Sequence, residues 1–322
     1  MKNITINSFF TFFIFFSTFL NAQTLFKKNV NDTVFNGAVF DRFQNIHDLD
    51  VADQVFALSL DTVRLNSIMN NDNQNLQIRL PFISNTVFEL EEFSVFSDSL
   101  NVIRHTSGGI IQDFYLPRIK TYKIMNLGED ISGSFIFSYK GVKAVINSGG
   151  QIYQIDKIKF SHLQASSFYV FMNINSSPVE FDFKCAHDDL TNIDQDIDLM
   201  NHRAQHSDLG CVEIAIEIDY STFQSFQNFQ DAVDWSLEMI AVTHDLFQSE
   251  LSVGLTSNTA HVWEVEDPHI NFIEEPQNML SSIRDNWINN EDFVNIDRDL
   301  VHLFSKRNNT GTGGIAFLNG IG

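Results

Sequence analysis

The spacing of apolar residues changes along the chain and divides it into two regions. From about residue 76 to 182 apolar and polar residues alternate, as in VFELEEFSVF, where Phe88 and Leu90 are separated by a glutamate. Turn signals at Lys140–Gly141 and Gly149–Gly150 separate similar alternating runs in GSFIFSYKGVKAVINSGGQIYQIDKI. Alternation with period two is typical of half-buried strands joined by hairpins, so we predict a β-rich region here.

A different period begins at Cys211. CVEIAIEI predicts a strand, and the helical spacing of apolar residues through FQSFQNFQDAVDWSLEMIAVTHDLFQSEL predicts one long helix that Ser221 or Thr222 caps. EPQNMLSSIRDNWINN predicts a second helix with Pro276 in its first turn. LSVGLTSNTAHVWEV, LVHLF and GIAFL predict further strands. Strands alternating with helices are typical of an α/β sheet with crossover helices.

An acidic segment with few large apolar residues separates the two regions, and its composition is that of a linker. The predicted fold class is therefore α+β: a β-rich domain followed by an incomplete α/β domain, a mixed sheet with two crossover helices. The predicted boundaries are a signal peptide over 1–22, the β-rich domain over 24–185, the linker over 186–210 and the α/β part over 211–322.

The charge of the chain narrows the classes of partner. Acidic residues number 41 and basic residues 20 in a chain of 322, which gives a formal charge of −21. A surface this acidic repels phosphate backbones and anionic lipids, so nucleic-acid and membrane-surface roles are disfavoured. Apolar residues make up 43% of the chain, which is enough for a substantial core and argues against disorder.

The N-terminal sequence MKNITINSFFTFFIFFSTFLNAQ has the layout of a signal peptide. Lys2 precedes an apolar run from Phe9 to Leu20, and Ala22 stands at a suitable cleavage point. The run is short for a membrane span, and the alternative is an uncleaved anchor. We therefore expect a secreted, extracellular protein that has no membrane association after signal removal.

The segments CVEIAIEID, DLVHLFSKR and GGIAFLNGI, with a long helix after the first, resemble the opening of the catalytic domain of reprolysin-type zinc metallopeptidases, a branch of the metzincins. IRLPFI before VFELEEFSVF, IKTYKIM, and GVKAVI before a glycine turn are similar to the pro-region of secreted bacterial members. The resemblance covers nearly the whole chain, and its most specific part is the tail from Asp299 to Gly320.

This resemblance implies an exported zinc metalloendopeptidase precursor, a zymogen with a protein or peptide substrate. In the family a helix with H-E-x-x-H-x-x-G-x-x-H follows the glycine-rich strand; its three His bind zinc and its Glu is the general base. The ten His of this chain form no such motif. We therefore expect a fragment or a truncated product that lacks catalytic residues and zinc ligands and is inactive, or else a short protein that lost its chemistry.

The resemblance also implies two further sites. Glu213 and Asp299 match positions that help to bind a structural calcium ion, although the remaining ligands would come from beyond this chain; the alternative is two solvated carboxylates. Ala316, Phe317 and Leu318 would lie in an edge strand, Gly314 to Gly320, that pairs with an extended substrate. The alternative for this strand is ordinary packing.

The two cysteines, Cys185 and Cys211, flank the linker. Three readings stay open: a disulfide, which an oxidising compartment favours; a cysteine switch, with Cys185 as the thiolate that would occupy a catalytic zinc; or two unpaired thiols. The linker is the expected activation site, and Arg203 is its only basic residue.

The histidines offer little metal chemistry. His202 and His206 have the i, i+4 spacing of a zinc pair, but Arg203 follows the first of them where the motif needs Glu, so we interpret both as part of a solvated linker. His187 is interpreted as part of an exposed polar turn. The histidines within or beside predicted helices and strands are expected to be structural: His244, His261, His269 and His302.

Two other functions remain open from the sequence. The β-rich first region and the lack of a complete catalytic set also fit a non-catalytic exported binding or adhesion protein. A free-standing pro-region that inhibits another protease, or helps it to fold, is the third reading. An in-frame H-E-x-x-H encoded downstream of Gly322 would separate the first reading from the other two.

Overall fold

The computed structural model describes residues 23–24, 26–28, 55–72, 74–80, 87–125, 131–157, 168–174, 210–272, 275–307, 310 and 312–317. The strands are β1 (Gln23–Thr24), β2 (Phe26–Lys28), β3 (Val55–Leu60), β4 (Asn75–Arg79), β5 (Val87–Phe93), β6 (Phe96–Thr106), β7 (Gly109–Tyr115), β8 (Ile119–Ile124), β9 (Ile131–Ser138), β10 (Gly141–Ser148), β11 (Gln151–Lys157), β12 (Phe168–Asn173), β13 (Gly210–Ile218), β14 (Val253–Trp263) and β15 (Leu300–Phe304). The helices are α1 (Thr62–Asn70), α2 (Tyr220–Phe226), α3 (Phe229–Leu251), α4 (Pro276–Asn289) and α5 (Glu291–Val294).

Ten strands from the first part of the chain form one sheet. Their order is β1-β4-β5-β8-β9-β10-β11-β12-β3-β2, and the ladders are antiparallel except between β1 and β4. Helix α1 contributes Leu65 and Ile68 to the core on one face of this sheet. The Asp61 carboxylate caps α1 by accepting the N–H groups of Val63 and Arg64. The predicted β-rich character of this region is confirmed.

The second sheet has five strands in the order β15-β13-β14-β6-β7. β13 runs parallel to both β14 and β15, β14 runs parallel to β6, and β6 and β7 form an antiparallel hairpin. Helices α2 and α3 connect β13 to β14, and α4 and α5 connect β14 to β15, as parallel neighbours require. The fold is therefore α+β. Both sheets are mixed, and the described residues contain more strand than helix.

The prediction of one long helix after Cys211 is wrong in two details, the continuity of the helix and its capping residue. It is divided at Gln227, which has the left-handed φ of 60°, and Asn228 starts the second helix by accepting the N–H of Asp231 at 2.8 Å. The first helix is capped by Asp219, not by Ser221 or Thr222 as predicted. Asp219 accepts the N–H of Thr222 at 2.7 Å, so the cap comes from the residue directly after β13.

The hairpin β6–β7 connects the two parts of the molecule. By sequence it lies between two strands of the ten-stranded sheet, yet it pairs with β14 and completes the five-stranded sheet. The core beside α3 accordingly combines side chains from both parts, with Val102 and Ile136 packed in one cluster with Ile216 and Leu237. Period-two patterning predicts strands, but it does not say which sheet a strand joins.

Helix α3 lies between the two sheets and presents carboxylates to basic side chains of the first part. Arg118 bonds Asp231 at 2.7 Å and Asp234 at 2.9 Å, and Lys143 pairs with Glu238. Lys140 also pairs with Asp231. No helix in the described part of the chain has the length and hydropathy that a membrane span needs.

Candidate functional site

The carboxyl ends of the parallel strands gather most of the buried charge of the second sheet. Ligands of open α/β sheets commonly bind at such ends, so this is the first place to look for a site. Asp219 follows β13, and Asp267 and His269 lie in the loop after β14. Arg307 lies three residues beyond the end of β15. All four side chains are buried or nearly so.

Arg307 is the centre of this group. Its guanidinium pairs with Asp219 Oδ2 at 2.9 Å and with Asp267, and it donates to the carbonyl oxygen of His269 at 2.9 Å. Burial raises the pKa of Asp219, against the hydrogen bonds from Ser305 and Thr222 and the charge of Arg307. The arginine therefore ties the segment after β15 to the ends of the other two strands.

A second buried carboxylate, Glu217, lies on β13 and is fully enclosed. Its Oε1 accepts from Trp263 Nε1 at 2.7 Å and faces His269 Nε2 at 3.0 Å. Its Oε2 accepts from Trp287 Nε1 at 2.6 Å. His269 in turn contacts the Ser282 hydroxyl through Nδ1 at 3.0 Å. These contacts join β13, β14 and α4 through hydrogen bonds to one carboxylate.

A pair of histidines extends this polar core toward the hairpin. His105 of β6 and His261 of β14 are both buried, and Nε2 of the first lies 3.0 Å from Nδ1 of the second. The His105 ring stacks on Trp263 with ring centroids 3.8 Å apart, and the His261 ring stacks on Phe293 at 4.1 Å. The side chains of the hairpin therefore penetrate the core formed by the second region.

The predicted calcium residues do lie together. Asp299 Oδ2 accepts the N–H of Glu213 at 2.8 Å, and the Asp299 N–H donates to the Glu213 carbonyl at 2.9 Å. Glu213 Oε1 also accepts from Asn258 Nδ2 at 2.7 Å. Each carboxylate thus has a structural role in fixing neighbouring strands. Calcium binding stays a prediction, because two carboxylates supply only part of the six to eight oxygens that the ion requires.

Zinc has no matching set of ligands in the described residues. There, His, Cys, Asp and Glu side chains nowhere gather in a group of three or more that could hold a metal ion. The buried histidines already contact Glu217 or each other, and Nδ1 of the partly buried His244 lies 2.8 Å from the Leu255 carbonyl oxygen. The side chains that the structure describes do not fit a catalytic zinc ion.

The remaining predicted positions are only partly described. Cys211 is exposed, and partial desolvation of its thiol, with the nearby Asp299 and Glu213 carboxylates, raises its pKa. Cys185 lies outside the described residues, as do His187, His202, Arg203 and His206. The choice between disulfide, switch and free thiols stays open.

The predicted edge strand differs from the structure over its described residues. Gly314 forms an isolated bridge and residues 315–317 form no strand, while Leu318 lies outside the described residues. The Thr312 hydroxyl donates to the Gly314 carbonyl at 2.8 Å, which turns the chain here. Ala316 is exposed, and Phe317 lies under the Arg284 guanidinium at 5.2 Å. A role in substrate pairing stays a prediction.

Sequence reasoning missed the residues that dominate this core: Glu217, Asp219, Asp267 and Arg307. In CVEIAIEI the glutamates occupy the positions between isoleucines, which predicts a solvated face. Helix α4 covers that face instead, since Ala215 packs with Trp287 in one cluster. The available signal was the pair of tryptophans, Trp263 and Trp287, whose indole N–H groups need an acceptor when buried.

Comparisons with known proteins give little support for a family. No family model matches the chain, and no curated protein matches it. Among solved structures, metalloproteinase-II from Bacteroides fragilis is similar to it with a TM-score of 0.38 and 7% sequence identity. The match covers 76% of this chain and 68% of that one. A likeness at this level is a distant structural resemblance and shows no shared activity.

Proposed function

We propose that the chain is the pro-region and the N-terminal part of the catalytic domain of an exported zinc metalloendopeptidase precursor. The observation that carries the proposal is the order of elements from β13 to β15. A central parallel strand is followed by helices, a second parallel strand, helices and a third parallel strand on the opposite side. This is the order of elements that the resemblance to reprolysin-type peptidases implies for CVEIAIEID through DLVHLFSKR.

The position of the segment directly after β15 also supports this proposal. Arg307 holds the chain beyond β15 against Asp219 and Asp267, at the carboxyl ends of the parallel strands. In the proposed precursor the zinc-binding helix would follow this segment. The ion pairs of Arg307 with Asp219 and Asp267 would then fix where that helix starts relative to the sheet.

This chain by itself is proposed to be inactive. Zinc in the full-length precursor would activate the water that attacks the peptide carbonyl. The 322 residues contain no H-E-x-x-H, and the described side chains do not fit the ion. The contribution of these residues would be the scaffold: the sheet, its crossover helices and the anchored segment after β15. Calcium held partly by Glu213 and Asp299 belongs to the same proposal.

The proposal is tested first by the coding sequence downstream of Gly322. An in-frame H-E-x-x-H within about twenty codons supports a precursor, because the family motif follows the glycine-rich strand closely. A stop codon followed by unrelated sequence contradicts it, and favours an exported binding protein or a free-standing inhibitory pro-region.

A second test uses the purified 322-residue chain. With added Zn²⁺ and a broad protein substrate we expect no turnover, since both base and ligands are missing. The matched measurement uses the extended product, if the downstream motif exists, and its variant with the motif Glu changed to Ala. Turnover by the 322-residue chain, or equal turnover by the extended product and its variant, contradicts the proposal.

A further inference from the structure

The docking of the β6–β7 hairpin on β14 depends on two buried histidines. The hairpin register places Trp263 opposite His105, and His261 opposite Ile103 on the neighbouring strand. The backbone N–H of Glu264 donates to the His105 carbonyl at 3.0 Å, and Arg104 pairs with Glu264. The hairpin leaves the ten-stranded sheet to make these contacts, which hold it on the second sheet together with the ladder to β14 and the buried Leu100 and Val102.

The hydrogen bond between the two rings requires at least one neutral imidazole. One of the facing nitrogens must carry the proton and the other must accept it. Nε2 of His261 has no hydrogen-bond partner within the described part of the chain. A proton added at the accepting nitrogen would remove the acceptor between the rings, and a proton added at His261 Nε2 would leave a charged N–H without a partner.

The surroundings offer poor compensation for a positive charge. Trp263, Trp287 and Phe293 form the walls of the site. Glu217 already accepts hydrogen bonds from both indoles and contacts His269, so its oxygens are occupied. The charges of Glu217 and of Asp292 on α5 act to raise the pKa of His105, but burial outweighs both, and neither carboxylate has a hydrogen bond to this ring among the described contacts. Arg298, stacked on Trp287 at 4.7 Å, repels a cation on His261.

We propose that the contact of the hairpin β6–β7 with β14 is acid-sensitive, and that protonation of the His105–His261 pair releases the hairpin from β14. The proposal does not depend on the peptidase function, because it concerns only the contact between the two parts of this chain. Release would break the pairing of β6 with β14 and withdraw Leu100 and Val102 from the core beside α3, while the core of the ten-stranded sheet stays intact.

The direction of the pH effect follows from the two protonation equilibria. Burial lowers the pKa of His105, and burial with the charges of His105 and Arg298 lowers that of His261 to about 3. A solvated histidine has a pKa near 6.5, so the released hairpin binds protons more readily than the docked one. The docking stability is complete above about pH 6.5 and is lost as the pH falls from 6.5 toward 3.

The test is amide hydrogen exchange of the full chain at pH 7.5 and pH 5.5, corrected for the intrinsic pH dependence of exchange. We expect protection of residues 100–106 and 259–263 to fall at least about tenfold, because uptake of one proton changes the equilibrium about tenfold per pH unit. Protection of residues 141–148, in the ten-stranded sheet, should change less than about twofold. Equal loss in both regions, or no loss in the hairpin, overturns the proposal.

Two variants sharpen the test. The double variant His105→Gln, His261→Gln keeps a neutral donor and acceptor between the strands but cannot titrate, so its hairpin protection should not depend on pH over this range. His302→Gln on β15 is the matched control and should behave as the unmodified chain does. If the double variant loses protection with acid as the unmodified chain does, carboxylates rather than this pair are responsible and the proposal fails. If the double variant does not fold, the proposal is decided by the unmodified chain, in which protection of residues 100–106 and 259–263 is compared with protection of residues 141–148.

Discussion

The two sheets of this protein are stabilised in different ways. The ten-stranded sheet has an apolar core of Leu, Ile, Val, Ala, Met, Phe and Tyr side chains, with α1 against one face. The interior of the five-stranded sheet contains charged and histidine side chains instead. They are Glu217 on β13, Asp219 directly after it, Asp267 and His269 in the loop after β14, and the pair of His105 and His261. Among the described residues, the buried charged and histidine side chains are therefore concentrated where the parallel strands end and where the hairpin docks, with Asp234 of α3 as an exception.

The contrast has a physical reason. An apolar core tolerates modest change, since its contacts are numerous and individually weak. A buried charge without its partner costs several kcal/mol, so every member of the second network depends on the others. We therefore expect single substitutions to be most damaging in the five-stranded sheet, except where backbone geometry limits the first sheet. The following predictions test this contrast in order of expected effect.

Removal of the Glu217 carboxylate should have the largest effect. Glu217→Ala leaves the two indole N–H groups and His269 without an acceptor, and should lower the free energy of unfolding by about 5 kcal/mol. Glu217→Gln keeps one acceptor oxygen and should cost about 2 kcal/mol. Urea unfolding monitored by tryptophan fluorescence measures both. Equal costs for the two variants would contradict this prediction, because the glutamine keeps the packing and one acceptor oxygen that the alanine loses.

Loss of the Arg307 guanidinium should cost slightly less. Arg307→Met leaves Asp219 and Asp267 facing each other without a cation, and should destabilise the chain by about 4 kcal/mol. Arg307→Lys keeps the charge but cannot bond both carboxylates and the His269 carbonyl together, so an intermediate cost is expected. Faster amide exchange at residues 305–307 would accompany the loss. Unchanged exchange there would contradict the anchoring role.

The first sheet should be most sensitive at Gly133. This residue has φ of 135°, and a Cβ added there would lie 2.1 Å from the Val145 carbonyl oxygen. Gly133→Ala should therefore cost about 3 kcal/mol, comparable to losses in the polar core. Gly149→Asn is the control, because its φ of 59° suits Asn and no atom lies within 4 Å. A thermal melt compares them, and similar midpoints would refute the steric argument.

The ion pair of Lys143 with Glu238 should contribute least, because the lysine side chain is 35% exposed. Lys143→Ala removes the pair with Glu238 at the contact of β10 with α3, and should cost about 1 kcal/mol, less at high salt. Lys143→Arg is the conservative control. Unfolding measured at low and high ionic strength should show the difference between the variants shrinking with salt. A cost that does not depend on salt would indicate lost packing of the lysine stem.

How far the sequence predicts this structure differs between the two regions. Period-two runs located most strands of the first sheet, and Pro276 located the start of α4. The division of the long helix at Gln227 was missed, since nothing in the apolar spacing marks a left-handed residue before an Asn cap. Glu213 and Asp299, predicted as part of a calcium site, lie together, but calcium binding stays a prediction, and their hydrogen bonds to the backbone and to Asn258 could not be predicted.

The sequence by itself determined the local elements, because apolar spacing, caps and turns act over a few residues. Which sheet the hairpin β6–β7 joins was decided by tertiary structure, since a strand with two usable faces can pair with any complementary edge. The same holds for the buried charges. Glu217 and Arg307 are compatible with solvent in the sequence, and only the packing of α4 and of the segment after β15 over the parallel strands removes water from them.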